Sequence, residues 1–274
     1  MTLHKLTLGA YNFEVTEEGR GAPVLMLHGF PDSARLWRHQ VPALVEAGYR
    51  VIAPDQRGFG NSDKPQEVAA YALPELLGDV LALLDHFELE RVRLVSHDWG
   101  AAVGWALAAW HPERIERHVA LSVGHLSALW SAGLAQRRLA WYMLLFMRQG
   151  LAEEILTRQD WQFFRDLWGH HPEMETWLAD LRRPGALTAA LNWYRANVDV
   201  DTWTEEGWVM PRVSVPTMGI WSSGDIYLTE TQMIGSGAWV DAEWRYERIE
   251  GATHWLMLDQ PGRISALLLD FLGG

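Results

Sequence analysis

Over the first 124 residues, short unbroken apolar runs alternate with segments of helical spacing. No other feature of the chain narrows its fold class as far. Val24–His28 is the first such run, and Ser33–Ala47 follows with apolar residues at Leu36, Trp37, Val41, Leu44 and Val45. Tyr49–Pro54 is the next strand. The spacing predicts a helix over Pro74–Phe87, with Leu76, Leu77, Val80, Leu83 and Leu84 on one face. Strand Arg91–Ser96, helix Trp99–Trp110 and strand Ile115–Val123 complete the series. A run that is apolar at every position is buried on both faces, as in a parallel sheet covered by helices on either side. Two strands precede it, Leu3–Gly9 and Tyr11–Thr16, joined by a turn at Gly9-Ala10. The pattern resumes at the end with strand Val215–Trp221, a short helix including Thr229–Ile234, strand Trp244–Ile249 and helix Gln260–Leu272.

Between His125 and Arg212 the alternation stops. Helical spacing covers Leu134–Arg148, Leu151–Gln159, Trp161–Trp168, Glu173–Leu181 and Pro184–Ala196, with no buried strand, and a polar, acidic stretch, Asp199–Gly207, leads back. The expected organisation is an α/β core of residues 1–124 and 213–274 with a helical insertion at 125–212. Ligands bind at the carboxyl ends of parallel strands, so an insertion over that edge is placed as a lid. It holds 8 of the chain's 16 Trp: Trp130, Trp141, Trp161, Trp168, Trp177, Trp193, Trp203 and Trp208. They suit a bulky or aromatic ligand, and equally the plain packing of the insertion helices. His170-His171-Pro172-Glu173 lacks metal-ligand spacing and reads as a solvated loop.

A formal charge of −12 argues against nucleic acid and anionic membrane as partners. The absence of Cys removes disulfides, thiol catalysis and Cys-ligated zinc. No apolar stretch reaches the length of a membrane span, and the N-terminus lacks an apolar signal core, so a cytoplasmic protein is expected. Self-association as a homodimer stays open.

Chemistry enters at Ser96-His97-Asp98-Trp99-Gly100. The apolar run Val92–Val95 leads in and the alanine-rich segment Ala101–Trp110 leads out. Small residues two positions either side of Asp98 allow a tight strand-to-helix turn that projects the central side chain. There Asp98 is a carboxylate nucleophile, whose attack on an alkyl carbon forms an ester with the protein itself. The alternative is a buried Asp capping the helix that follows.

Two further loops, His28-Gly29-Phe30-Pro31-Asp32 and the stretch from Asp55-Gln56-Arg57-Gly58 to Lys64-Pro65, follow the first buried strand and the next. With the Asp98 turn they resemble the α/β-hydrolase superfamily, and within it the epoxide hydrolases and their haloalkane and haloacetate dehalogenase relatives. The resemblance spans essentially the whole chain. It implies an α/β-hydrolase fold with a helical cap and no cofactor or metal. It implies nucleophile, acid and histidine in that chain order: Asp98, Asp225 in Ser222-Ser223-Gly224-Asp225, and His254 in Gly251-Ala252-Thr253-His254. Some dehalogenases carry the acid after the earlier strand, but here that stretch, Ser122-Val123-Gly124-His125, has no carboxylate. The resemblance makes Phe30 and Trp99 backbone donors of an oxyanion hole. It gives Tyr142, in Trp141-Tyr142-Met143, and Tyr194, in Asn192-Trp193-Tyr194-Arg195, the role of donors to an epoxide oxygen. Trp193, Trp141 and His125 are the expected substrate-contacting residues; His28, Asp55 and Arg57 are expected to order loops. The implied reaction is hydrolysis of an epoxide to a vicinal diol. A dehalogenase using the same three residues is the alternative, and a non-catalytic ligand-binding protein on this fold is the alternative from another class. The residues after Asp98, Trp99-Gly100-Ala101-Ala102, lack the arginines of a haloacetate site.

Overall fold

A computed structural model describes residues 1–169, 171–199, 201 and 209–273. Eight strands form one sheet: β1 (Thr2–Leu8), β2 (Tyr11–Gly19), β3 (Ala22–Leu27), β4 (Tyr49–Pro54), β5 (Val92–His97), β6 (Ile115–Leu121), β7 (Thr217–Ser222) and β8 (Trp244–Ile249). Their order is β1-β2-β4-β3-β5-β6-β7-β8. β1 pairs antiparallel with β2 and β2 with β4; every other pairing is parallel. The carboxyl ends of β3 to β8 therefore share one edge.

The helices run in chain order as α1 (Gln40–Glu46), α2 (Leu73–His86), α3 (Trp99–Trp110), α4 (Leu126–Ser131), α5 (Leu134–Leu139), α6 (Tyr142–Phe146), α7 (Leu151–Leu167), α8 (Met174–Leu181), α9 (Ala186–Asn197), α10 (Glu230–Gly235), α11 (Leu256–Asp259) and α12 (Pro261–Gly273). α1 packs with α12, and α2 with α3. Val24–Leu27 of β3 and Leu94 and Val95 of β5 are wholly inaccessible, the two-sided burial that their unbroken apolar character requires. α2 buries the five residues that its spacing singles out. α3 is apolar all round and buries every residue from Gly100 to Ala108, as a helix without a polar face must.

Two predicted helices are each broken in two. Over Ser33–Ala47 a short 3-10 turn, Ala34–Trp37, precedes α1. Pro42 is the cause: it has no N–H to give to the carbonyl four residues back, so the helix restarts with Pro42 inside its first turn. Over Leu134–Arg148 the chain splits into α5 and α6. Gln136 of α5 is fastened to the Tyr227 carbonyl and the Thr229 N–H, whereas Tyr142 and Phe146 of α6 pack on Trp168. Between β6 and β7 the described residues contain α4 to α9 and no named strand. Trp203 and Trp208, and most of the acidic stretch at 199–207, lie outside the described residues, as does His170. Among the described residues no helix is long and apolar enough to cross a membrane.

Candidate active site

Asp98 stands between the end of β5 and the start of α3 with φ 51° and ψ −122°, a backbone conformation rare outside glycine. Glycines on either side admit it. A Cβ on Gly100 would lie 2.3 Å from the Leu27 carbonyl oxygen, and one on Gly29 would lie 2.3 Å from Asp98 Oδ1. Gly100→Ala is therefore expected to cost about 1–3 kcal/mol of stability through backbone overlap, read as a lowered midpoint in thermal unfolding. An unchanged midpoint would show that the turn can yield. Phe30, whose bond to Pro31 is cis, donates its N–H to Asp98 Oδ1 at 2.7 Å, and the backbone N–H of Trp99 helps to favour the charged carboxylate. Two backbone N–H groups thus favour the charge on one carboxylate.

His254 lies on the loop after β8. Its Nδ1 is 2.8 Å from Asp225 Oδ2, and its Nε2 is 3.4 Å from Asp98 Oδ2. Asp225 follows β7; its other oxygen, Oδ1, accepts the N–H groups of Tyr227 at 2.8 Å and Leu228 at 3.0 Å, which fixes the carboxylate and leaves Oδ2 for the imidazole. Burial pushes the imidazole of His254 down. The charge and hydrogen bond of Asp225 and those of Asp98 outweigh it and raise the group to about 10. Burial pushes Asp98 up, but the hydrogen bond and charge of His254 overcome this and hold it below the ordinary carboxylate value. Carboxylate and imidazolium thus stabilise each other.

Opposite Asp98, α6 supplies Tyr142 and α9 supplies Tyr194. Both are buried, and their rings stand edge-on to each other, with the Trp99 ring edge-on to Tyr194 at 5.0 Å. Their ring centroids are 6.1 Å apart. Burial, then the neighbouring tyrosine or Asp98, raises both phenols well above the ordinary value, so both keep the proton they would donate. A cavity of about 710 Å³ joins Asp98, Trp99, Tyr142, Tyr194 and His254, with Leu126, Leu129, Trp130 and Met143 among its apolar walls.

Not every expected site residue reaches this cavity. Trp141 is half-exposed and points away from it: Trp141 and Tyr142 are neighbours about 100° apart around a helical turn, and only Tyr142 faces in. Trp193 is fully buried behind the site, where its indole N–H donates to the Arg57 carbonyl and its ring packs against Phe59 and Trp99. His125 is likewise a packing residue. It stacks on Trp239 and caps α4 by accepting the Ser127 N–H. The loop expected to be solvated is instead a contact: Glu173 pairs with Arg35 and Arg38, and His171 stacks on Trp177. His28, Asp55 and Arg57 brace the loops at the sheet edge. His28 Nε2 accepts the Gln56 N–H, Asp55 accepts the N–H groups of Ala34 and Asn61, and Arg57 pairs with Asp79.

Tyr227 escaped the sequence reading. It lines the cavity, its ring stands edge-on to His254 at 5.3 Å, and its hydroxyl donates to the Leu167 carbonyl of α7. The only signal was its place two residues after Asp225.

A mostly parallel sheet whose carboxyl edge carries a carboxylate on a strained strand-to-helix turn, a histidine and a second buried carboxylate defines a hydrolase of the α/β class. The chain belongs to the alpha/beta hydrolase fold family, whose sequence pattern matches residues 22–261. Among its relatives is Epoxide hydrolase A of Mycobacterium tuberculosis, 33% identical over 95% of this chain and 94% of that protein. A solved structure among the novel epoxide hydrolases found in metagenomes from hot environments superposes with TM-score 0.87 at 30% identity, covering 100% of this chain and 99% of the other. The epoxide hydrolase VrEH1 of Vigna radiata does so with TM-score 0.85 at 29% identity, covering 99% and 98%.

Proposed function

We propose that this chain hydrolyses an epoxide to a vicinal diol through an alkyl ester on Asp98, with α4 to α9 serving as a cap over the site. The observation that carries this reading is the pair of protonated tyrosines facing Asp98 across one cavity. An opening epoxide leaves an alkoxide, a strongly basic group that needs donors aimed at it. A departing halide is a stable anion and needs only weak ones. The Trp99 ring, whose indole N–H a halide site would use, is packed edge-on against Tyr194, 5.0 Å between centroids.

In the first half-reaction an Asp98 oxygen attacks an epoxide carbon, the C–O bond breaks, and Tyr142 or Tyr194 gives its proton to the leaving oxygen. Intramolecular placement of nucleophile and electrophile can supply about 7–11 kcal/mol of such a barrier. The product is an ester of Asp98. In the second half-reaction the tyrosinate regains a proton from the imidazolium, neutral His254 takes one from water, and the water oxygen attacks the ester carbonyl; collapse breaks the acyl C–O bond, and the departing diol oxygen takes the proton of the new carboxyl group, so that Asp98 is a carboxylate again. The N–H groups of Phe30 and Trp99, which already favour the carboxylate, stabilise the oxyanion that forms, each such donor being worth roughly 3–4 kcal/mol. Asp225 holds the imidazole in register. Esterification also removes the Asp98 charge. One of the two carboxylates that raise His254 is then gone, and the imidazole falls toward the range in which it can act as a base.

A single turnover in oxygen-18 water with enzyme in excess tests the covalent step. The oxygen added to the diol should come from Asp98 and be mostly unlabelled. Label in the diol at the first turnover would mean that water attacks the epoxide directly.

A further inference from the structure

His254 sits on a loop, five residues beyond the end of β8, and its backbone carbonyl is gripped from two sides. His97 Nε2 lies 3.0 Å from that oxygen, and Ser122 Oγ donates to it at 2.9 Å. A carbonyl only accepts, so Nε2 of His97 carries the hydrogen, and two donors match the two lone pairs of the oxygen. Nδ1 of His97 is then bare, and among the described residues nothing bonds it. Both donors are wholly buried. Each comes from a strand end: His97 closes β5 immediately before Asp98, and Ser122 follows β6, where His97 is paired with Leu121.

Ser122 has φ 68°, a left-handed conformation that a non-glycine residue adopts at a cost. Its surroundings hold it there. Its N–H donates to the Ile220 carbonyl at 2.8 Å, and its carbonyl accepts Gln232 Nε2 at 2.8 Å. Strain of this kind persists where the neighbouring structure over-determines it, and here the strained residue delivers a hydroxyl to His254. The ring of His97 lies 4.7 Å from that of His254. Burial, then the neighbouring His254, pushes His97 down to about 3, so the clamp adds no charge beside the imidazolium.

We propose that His97 and Ser122 are positioning residues for His254, clamping its backbone carbonyl so that one ring nitrogen meets Asp225 and the other faces Asp98. This rests on the reading of His254 as the base of ester hydrolysis. The clamp ties the base to the same strand ends that carry the nucleophile, so the geometry of the second half-reaction depends on it more than that of the first.

Three variants test it: Ser122→Ala, which loses the hydroxyl; His97→Phe, which keeps a ring and loses the donor; and His97→Gln, whose amide nitrogen reaches where Nε2 lies. Misplacement of a reacting group by about 1 Å can cost roughly 100-fold, so Ser122→Ala and His97→Phe should each slow ester hydrolysis about 10-fold or more and alter alkylation by less than about 2-fold. His97→Gln should stay within about 3-fold of the parent on the same scale. A second readout needs no substrate. In proton NMR of the free protein, the downfield signal of the His254 Nδ1 proton shared with Asp225 should broaden or move upfield in the first two variants and return in His97→Gln. Unchanged hydrolysis with an unchanged signal overturns the proposal, as do equal losses in both half-reactions, which mark general disruption. If His97→Phe does not fold, Ser122→Ala and His97→Gln decide the matter. If the parent turns over no epoxide, the NMR signal alone decides it, so the clamp and the assigned reaction fail separately.

Discussion

Replacing both Tyr142 and Tyr194 with Phe is expected to slow alkylation of Asp98 by an epoxide about 100- to 10,000-fold, the usual contribution of general-acid help. The alkoxide develops only as the C–O bond breaks, so donors aimed at it act on the transition state more than on the bound epoxide. Loss of the hydroxyls should therefore appear in the alkylation rate and only weakly in binding. Each single change removes one donor from a pair whose rings lie 6.1 Å apart. The surviving phenol should sustain part of the rate. The fold should persist, because the rings stay to pack on Phe146, and Tyr142 also on Trp168. Stopped-flow measurement of alkylation, with circular dichroism as the folding control, reads the effect. A double variant that opens epoxides at the parent rate would reduce the tyrosines to packing and leave halide release as the better reading of the Asp98 site.

The second large effect belongs to His254→Gln. Asp98 can still attack, but the attacking water loses its base, so turnover should drop about 100- to 10,000-fold while the ester accumulates. Intact-protein mass spectrometry should show an added mass equal to the substrate. Asp225→Asn should slow the same step, because the carboxylate that orients and charges the imidazole is lost. In the parent enzyme, acid should reproduce part of the stall, and the sign follows from the two groups. Asp98 is held below the ordinary carboxylate value, so it remains an anionic nucleophile as pH falls through 5. His254 in the ester form has lost the Asp98 charge that helped to raise it to about 10, and it must be neutral to act. Lowering the pH therefore protonates the base before the nucleophile, and ester should build up on the acid side. A His254→Gln protein that turns over at the parent rate with no adduct would move the base elsewhere.

Much of the molecule was legible from local pattern. Apolar runs such as Val24–Leu27, with no polar position on either face, are buried between two helical layers, which determined a parallel sheet and its helix positions. The turn around Asp98 was legible because its requirements are local: a small residue at Gly100, where a Cβ would meet the Leu27 carbonyl, and an apolar helix after it. Asp225 and His254 were expected only from the chain order that the resemblance implies, each following a late strand.

Tertiary structure alone decided which neighbours face the reaction. Trp141 and Tyr142 are both large and amphipathic, and periodicity assigned them to a single helix. Because the chain breaks between α5 and α6, the direction of each side chain is set by what anchors the two short pieces, Gln136 on one and Phe146 on the other. Trp193 and His125 were drawn behind the site by partners distant in sequence, the Arg57 carbonyl and Trp239. Tyr227 was drawn into the cavity by the turn that fastens Asp225 and by its bond to Leu167. The grip of His97 and Ser122 on the His254 carbonyl joins residues 157 and 132 positions away from it in the chain, through hydrogen bonds that close only when the ends of β5 and β6 and the loop after β8 come together. By itself the sequence determined the elements and the chemistry they can carry, because periodicity and turn residues act over a few positions. The packing of the helices between β6 and β7, and the long-range hydrogen bonds at the sheet edge, decided which side chains share the cavity.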